Sequence, residues 1–180
     1  SGGLDVGDRR QRPMGIRDRL EAGDSFLIRT ALEGSDESIA DADEGDTTSL
    51  AAGVFSHKVS RPARLLIIGG ADIAVHLAAL AKRLDFEVTV VDPRAVFTDS
   101  ARFDVPPDAL LTAWPQEVLP EFAPDEETYA VLLTHDPRID DPALRVLLAS
   151  KAAYIGALGG RKTQTARRER MLASGFDEAD

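Results

Sequence analysis

Apolar residues run without a break from Leu65 to Ile68, stop at Gly69-Gly70, and resume after Asp72 at steps of three and four, at Ile73, Leu77, Leu80 and Leu84. An unbroken apolar run of that length suits a strand buried on both faces, and the later spacing suits a helix whose apolar stripe lies on a sheet. The glycines permit a tight turn between the two, which aims backbone N–H groups and the positive end of a helix dipole at one point where an anion can bind. The alternation continues to the end of the chain: strands are predicted at 64–68, 87–91, 109–112, 129–134 and 152–155, and helices at 73–84, 114–119, 142–150 and 162–173. Short loops join them. This pattern predicts an α/β fold with a doubly wound parallel sheet in strand order 3-2-1-4-5, because right-handed crossovers place helices on both faces.

Before Pro62 the pattern is weaker. Residues 1–12 are rich in Gly, Asp and Arg with little to bury, and read as loop or disorder. Pro13 opens a short helix with Ile16 and Leu20 on one side and Gly23 at its end. A strand is predicted at 26–32, an acidic solvated connection at 33–49, and a second strand at 50–56 that pairs with the first as an antiparallel hairpin. The expected organisation is therefore an N-terminal segment over 1–61, with a hairpin and an acidic linker, and a domain over 62–180.

Composition narrows the classes of function. The 180 residues carry a net charge of −10, which argues against a general nucleic-acid binder. No apolar run approaches the roughly 20 residues of a membrane span, and no signal-peptide pattern opens the chain, so a cytoplasmic protein without membrane association is expected. Cysteine is absent, which removes disulfides, thiolate metal sites and cysteine nucleophiles from these residues.

Three constellations could carry chemistry. The first is the glycine turn, which approaches a Rossmann-type dinucleotide fingerprint: Gly69 fits its first position and Ala74 its last, but Ala71 replaces the middle glycine that lets a pyrophosphate approach the backbone. Gly70 and Asp72 complete the turn. Asp92, at the end of the next strand, could accept from a ribose hydroxyl, and Arg94 could instead hold a phosphate. The second constellation is Thr134-His135-Asp136-Pro137 after the fourth strand, which the strand order places beside the glycine turn. His135 could act as acid, base or hydrogen-bond donor there, whereas Asp136 or Asp141 could simply cap the helix expected from Pro142. The third is Gly156-Ala157-Leu158-Gly159-Gly160-Arg161-Lys162, a glycine-rich loop entering a basic helix. Arg161 and Lys162 are its best-placed phosphate partners, although a solvated helix face also carries such charges. His57 and His76 stand apart from any acid at metal-ligand spacing, and Trp114 is expected to pack or cap the loop after the third strand.

The stretches RLLIIGGADIA at 64–74, FEVTVVDPRAVF at 86–97, LLTHDPRIDDPAL at 132–144 and YIGALGGRKTQTARRERML at 154–172 together resemble the carboxyl-terminal Rossmann domain of the XdhC/CoxI family. Its members are accessory proteins for molybdenum hydroxylases such as xanthine dehydrogenase. The segment RLEAGDSFLIRTALEG at 19–34 is similar to the region between the family's domains. Family members usually carry a Gly-Ala-Gly-His type of turn, where this chain has Gly69-Gly70-Ala71-Asp72, and the family's cofactor-associated cysteine has no counterpart here.

The resemblance implies a Rossmann-like domain that receives molybdenum cofactor (molybdopterin), protects it during sulfuration and hands it to the target enzyme. That is a chaperone's role and requires no turnover. It implies a molybdenum hydroxylase and a sulfurtransferase as partners, and it allows a homodimer. The rival expectation from the residues themselves is an NAD(P)-dependent oxidoreductase that uses the glycine turn as its cofactor site.

Overall fold

In the computed structural model, which describes residues 16, 19, 25–33, 36–42, 47–59 and 61–177, the chain divides into two units, Ser1–Arg61 and Pro62–Asp180. The loop expected over 1–12 lies outside the described residues, and the helix expected from Pro13 to Gly23 lies almost wholly outside them.

The first unit contains a four-stranded antiparallel sheet built from β1 (Phe26–Ala31), β2 (Glu37–Asp41), β3 (Ser49–Ala51) and β4 (Val54–Val59), in the order β2-β1-β4-β3. The strand expected over 50–56 is broken in two, because Ala52 and Gly53 both take positive φ, 50° and 74°, and turn the chain back on itself. Positive φ at both central residues marks the turn that best matches strand twist in a tight hairpin. Strand β1 pairs antiparallel with β4 on one side, with Phe26 opposite Val59 and Ala31 opposite Val54, and with β2 on the other, so the two expected strands are neighbours but not a simple hairpin. Part of the acidic tract expected as a solvated connection is the strand β2, which sets Ile39 opposite Ile28. Its acidic character suits an edge, where charge discourages further strand pairing.

The second unit carries the parallel sheet. Strands β5 (Arg64–Ile68), β6 (Glu87–Val91), β7 (Ala109–Leu111), β8 (Thr128–Leu132) and β9 (Tyr154–Ala157) are ordered β7-β6-β5-β8-β9, which is the expected 3-2-1-4-5. Among the described residues four α-helices accompany them, α1 (Asp72–Lys82), α2 (Pro115–Phe122), α3 (Pro137–Leu148) and α4 (Arg161–Ala173), with short 3-10 turns at Ala95–Phe97 and Ser100–Arg102. Successive strand residues serve opposite faces. Leu66, Ile68, Val91, Ala130 and Leu132 form one core with Leu119 of α2, Ile139, Ala143, Leu144 and Leu147 of α3, and Met171 of α4. On the other face Leu65, Ile67, Val88 and Val90 pack with α1 and Phe103. Among the described residues no helix is long and apolar enough to cross a membrane.

Two helices depart from the expected pattern. The sheet-facing side of α1 is Ala74, Ala78 and Ala81, whereas Ile73, Leu80 and Leu84 of the expected stripe are 54%, 58% and 72% exposed. Both stripes recur at helical spacing, and the alanines let the helix approach the sheet more closely than leucines would. Helix α3 begins at Pro137, not Pro142, because Asp136 caps it by accepting from the Arg138 amide and Pro137 fills its first position. Pro142 sits inside the second turn, where its ring nitrogen has no hydrogen to donate. Trp114 is the residue before α2, and its amide donates to the Glu117 carboxylate at 3.2 Å.

The alanine face of α1 generates a test. Ala78→Leu is expected to lower stability in urea by about 1–3 kcal/mol through overpacking. Leu80→Ala is expected to change it by no more than about 0.5 kcal/mol. The opposite ranking would mean that the leucine stripe faces the sheet.

Candidate functional site

Backbone pairing continues one step past the strands and delivers four loops to one edge. The Gly69 amide donates to the Val91 carbonyl at 2.8 Å, Leu133 to Ile68 at 2.8 Å, Leu158 to Leu132 at 2.9 Å and Asp92 to Leu111 at 3.1 Å. The loops after β5, β6, β8 and β9 therefore leave side by side, at the switch point where ligands bind in such sheets. Gly69 has φ of 104°, and a Cβ on it would lie 2.6 Å from Thr134 Cγ2. Only glycine suits this position, on both backbone and spatial grounds. The glycine turn and the Thr134 loop are thus in direct contact.

On the β6 side, the predicted ligand groups hold one another. Asp92 is fully buried. Its Oδ2 accepts from the Gly70 amide at 3.0 Å and from an Arg94 terminal nitrogen at 2.8 Å. Its Oδ1 accepts from the Arg94 amide and Nε, both at 2.9 Å. That fills the roughly four acceptor positions of a carboxylate. Burial pushes the Asp92 carboxyl up, but the hydrogen bonds from Arg94 and Gly70, with the Arg94 charge, outweigh it and hold the group below its ordinary value. Asp92 thus has no acceptor position left for a ribose hydroxyl, and Arg94 is engaged with it.

The connection after β6 closes over this turn. The Arg94 guanidinium lies 4.2 Å from the Phe97 ring centre, and Arg102 approaches the same ring at 5.2 Å. Arg102 also donates to the Gly70 carbonyl at 2.6 Å and to Asp72 at 2.8 Å. A Cβ on Gly70 would fall 2.2 Å from the Phe97 carbonyl oxygen. Ala71 precedes α1 in extended backbone, and no side chain caps the helix there.

On the β8 side, His135 is exposed with φ of 59°, in the left-handed region that histidine enters more readily than most residues. Beside it Asp136 caps α3 and is paired with Arg138 at 2.7 Å. Hydrogen bonds from the Arg138 side chain and amide, with smaller help from the charges of Arg138 and Arg94, lower its carboxyl pKa to about 2. Thr134 Oγ1 accepts from the Asp136 amide at 3.0 Å and donates to Asp140 at 2.5 Å.

Asp140 in turn meets Arg167 at 3.1 Å, with side chains only 1% and 6% exposed. Arg167 also donates to the Leu158 carbonyl at 3.1 Å and to Gln164 at 2.8 Å, which stitches the β9 loop and α4 to the β8 loop. Sequence reasoning did not single out this pair. A signal was present, however, since Asp140 falls in register with Ala143, Leu144 and Leu147 on the buried side of α3, and Arg167 with Met171 on α4. The pair Asp141 and Arg170 adds a second link between the same helices, so Asp141 is not a cap.

At the β9 end, a Cβ on Gly156 would strike the Tyr154 ring at 2.8 Å, and one on Gly159 would lie 3.1 Å from Thr163 Cγ2. These two glycines make room for packing. Gly160 precedes α4 without a side-chain cap, and the first turn of the helix carries no acidic residue. Arg161 and Lys162 occupy that turn, both exposed, and neither has an ion-pair partner among the described residues. A cavity of about 320 Å³ lies instead between α3 and α4, lined by residues such as Leu144, Leu148, Met171 and Phe176 and by none of the turn residues.

Residues 65–180 match the model of the XdhC Rossmann domain. The chain belongs to the XdhC family. It is 33% identical over 122 residues to a Bacillus subtilis protein named as a probable xanthine dehydrogenase subunit, a match covering 68% of this chain and 35% of that protein. The chain thus spans about a third of that relative's length. Its fold is also that of a xanthine dehydrogenase from Bacillus halodurans, with a TM-score of 0.68 at 21% identity over 84% of this chain and 51% of the other.

In this XdhC Rossmann domain two carboxylates on the β8 side stabilise the edge in different ways, and each can be tested. Arg167→Ala leaves Asp140 buried without its cation and is expected to cost about 3–5 kcal/mol in denaturant unfolding. A loss below about 1 kcal/mol, the ceiling for exposed pairs, would contradict a buried link. For Asp136 the folded carboxyl lies below its ordinary 3.8, so the cap and its arginine stabilise the fold at pH above about 4 and the effect is lost as pH falls toward about 2. A carboxyl-carbon NMR titration is expected to give Asp136 a midpoint near 2, and a midpoint near 3.8 would contradict the pairing.

Proposed function

We propose that this chain is the Rossmann module of an accessory protein that handles molybdenum cofactor during maturation of a molybdenum hydroxylase such as xanthine dehydrogenase. Membership of the XdhC family supports the reading, and so does the naming of a relative as a xanthine dehydrogenase subunit. The observation that carries it to particular residues is the first turn of α4, where two cations stand without carboxylate partners among the described residues of an otherwise acidic chain.

The donor set fits one end of the cofactor. A pterin's terminal phosphate suits Arg161, Lys162 and the free amides of the α4 turn, since charge-assisted bonds to phosphate are among the stronger hydrogen bonds. The molybdenum end has no matching thiolate, because the chain contains no cysteine. No group of three or more His, Cys, Asp or Glu side chains among the described residues is arranged to hold a metal ion. On this reading these residues grip the phosphate and the metal is held by groups outside them, with the hydroxylase and a sulfurtransferase as protein partners. His135, exposed after β8, has no proton-transfer step required of it on this reading.

Calorimetric titration of the chain with molybdenum cofactor released from a carrier protein tests the proposal. Binding is expected, and Arg161→Ala should weaken it about tenfold, the equivalent of one contact worth about 1.4 kcal/mol. A chain that binds no cofactor, or an Arg161→Ala variant of undiminished affinity, would contradict it.

A further inference from the structure

A dinucleotide site on this fold draws on three things at the β5–β6 side: a free amide in the glycine turn, a bare glycine Cα that lets the pyrophosphate come close, and a carboxylate after the second strand for the ribose. In this chain Ala71 takes the middle glycine's place and Gly70 is the bare glycine left beside it; its amide, its open side and the carboxylate are all already used. The Gly70 amide donates to Asp92 at 3.0 Å. The open side of Gly70 is filled by the Phe97 carbonyl, which a Cβ there would meet at 2.2 Å. Asp92 is completely buried and bonded four times, three of those bonds coming from Arg94.

We infer that the connection from Asp92 to Arg102 is a built-in occupant of the adenosine half of the crevice, closing it to dinucleotides, so that the guest is a phosphate monoester no larger than a mononucleotide. The identity of that guest rests on the function proposed above; the closure rests on the geometry alone. Arg94 and Arg102 flank the Phe97 ring, and Arg102 pins the turn from above through the Gly70 carbonyl and Asp72. For a ribose to reach Asp92, Arg94 would have to surrender a bidentate guanidinium contact and a backbone bond in exchange for neutral hydroxyls. For a pyrophosphate to reach the turn, the Phe97 backbone would have to withdraw. The methyl of Ala71, which the sequence marks as the obstacle, is therefore secondary: Ala71→Gly leaves Gly70 and Asp92 engaged.

The test is a two-dimensional NMR titration of the full chain with ADP-ribose and with NAD+, followed at the Gly70 amide and the Arg94 side-chain Nε–H. The expected result is no saturable shift at millimolar ligand, in wild type and in Ala71→Gly alike. An Arg94→Ala/Arg102→Ala variant, with the occupant unpinned, should gain at least tenfold in ADP-ribose affinity. Saturable binding of ADP-ribose to wild type that moves both resonances would overturn the closure, and because this arm uses unmodified protein it holds even if the double variant is unfolded. In parallel, the mononucleotide form of molybdenum cofactor should bind at least tenfold more tightly than its dinucleotide form, and equal affinities would overturn the size limit. Exclusion of ADP-ribose with no binding of either pterin form would uphold the closure and sink the functional reading. Binding of both ADP-ribose and cofactor would do the reverse.

Discussion

Asp92 carries its charge with no exposure to solvent, and the shape of the candidate site follows from the need to neutralise it. A carboxylate sealed in a low-dielectric interior is tolerated only when paired and fully hydrogen-bonded. The chain meets that demand with the Gly70 amide from one loop and three donors of Arg94 from another. Satisfying the charge fixes the glycine turn, holds Arg94 against Phe97 and brings the following connection down over Gly70. Groups that would serve a dinucleotide ligand elsewhere are here part of the fold's own internal bonding.

The opposite side of the same edge repeats the solution with different residues. Asp140, equally withdrawn from water, is held by Thr134 from the β8 loop and Arg167 from α4. One buried carboxylate ties the β5 and β6 loops, the other the β8 and β9 loops, and the close approach of Gly69 to Thr134 joins the two pairs. Cationic groups without carboxylate partners among the described residues remain at the β9 end, in the first turn of α4. A rim so braced spends its carboxylates and the arginines beside them on internal bonds, and the proposed phosphate contact uses the end where these cations stay exposed.

Much of this was legible in the sequence because it depends on short-range pattern. The strands and their order follow from apolar runs separated by helical periods, and the sites of interest follow from where glycines and prolines interrupt those runs. Other features depend on what meets what across the fold. The period of α1 identifies a helix but not its buried stripe, and choosing by side-chain size favoured Leu80 and Leu84 over Ala78 and Ala81, the residues that allow close approach to the sheet. Two prolines competed to start α3, and the adjoining Asp136 decided for the earlier one. Acidic composition concealed the edge strand β2, which needs little burial on either side. Asp92 stood out by position, yet its engagement with Gly70 could not be read along the chain, because it depends on two strand ends lying side by side.

In the free protein the Gly70 amide and the Arg94 side chain are committed to Asp92. Hydrogen exchange followed by NMR at these two groups tests it most directly. Exchange at Gly70 is expected to be slowed to rates near those of the central strand β5, with a protected Arg94 Nε–H as well. Rapid exchange at Gly70, comparable to that of the exposed first turn of α4, would contradict it.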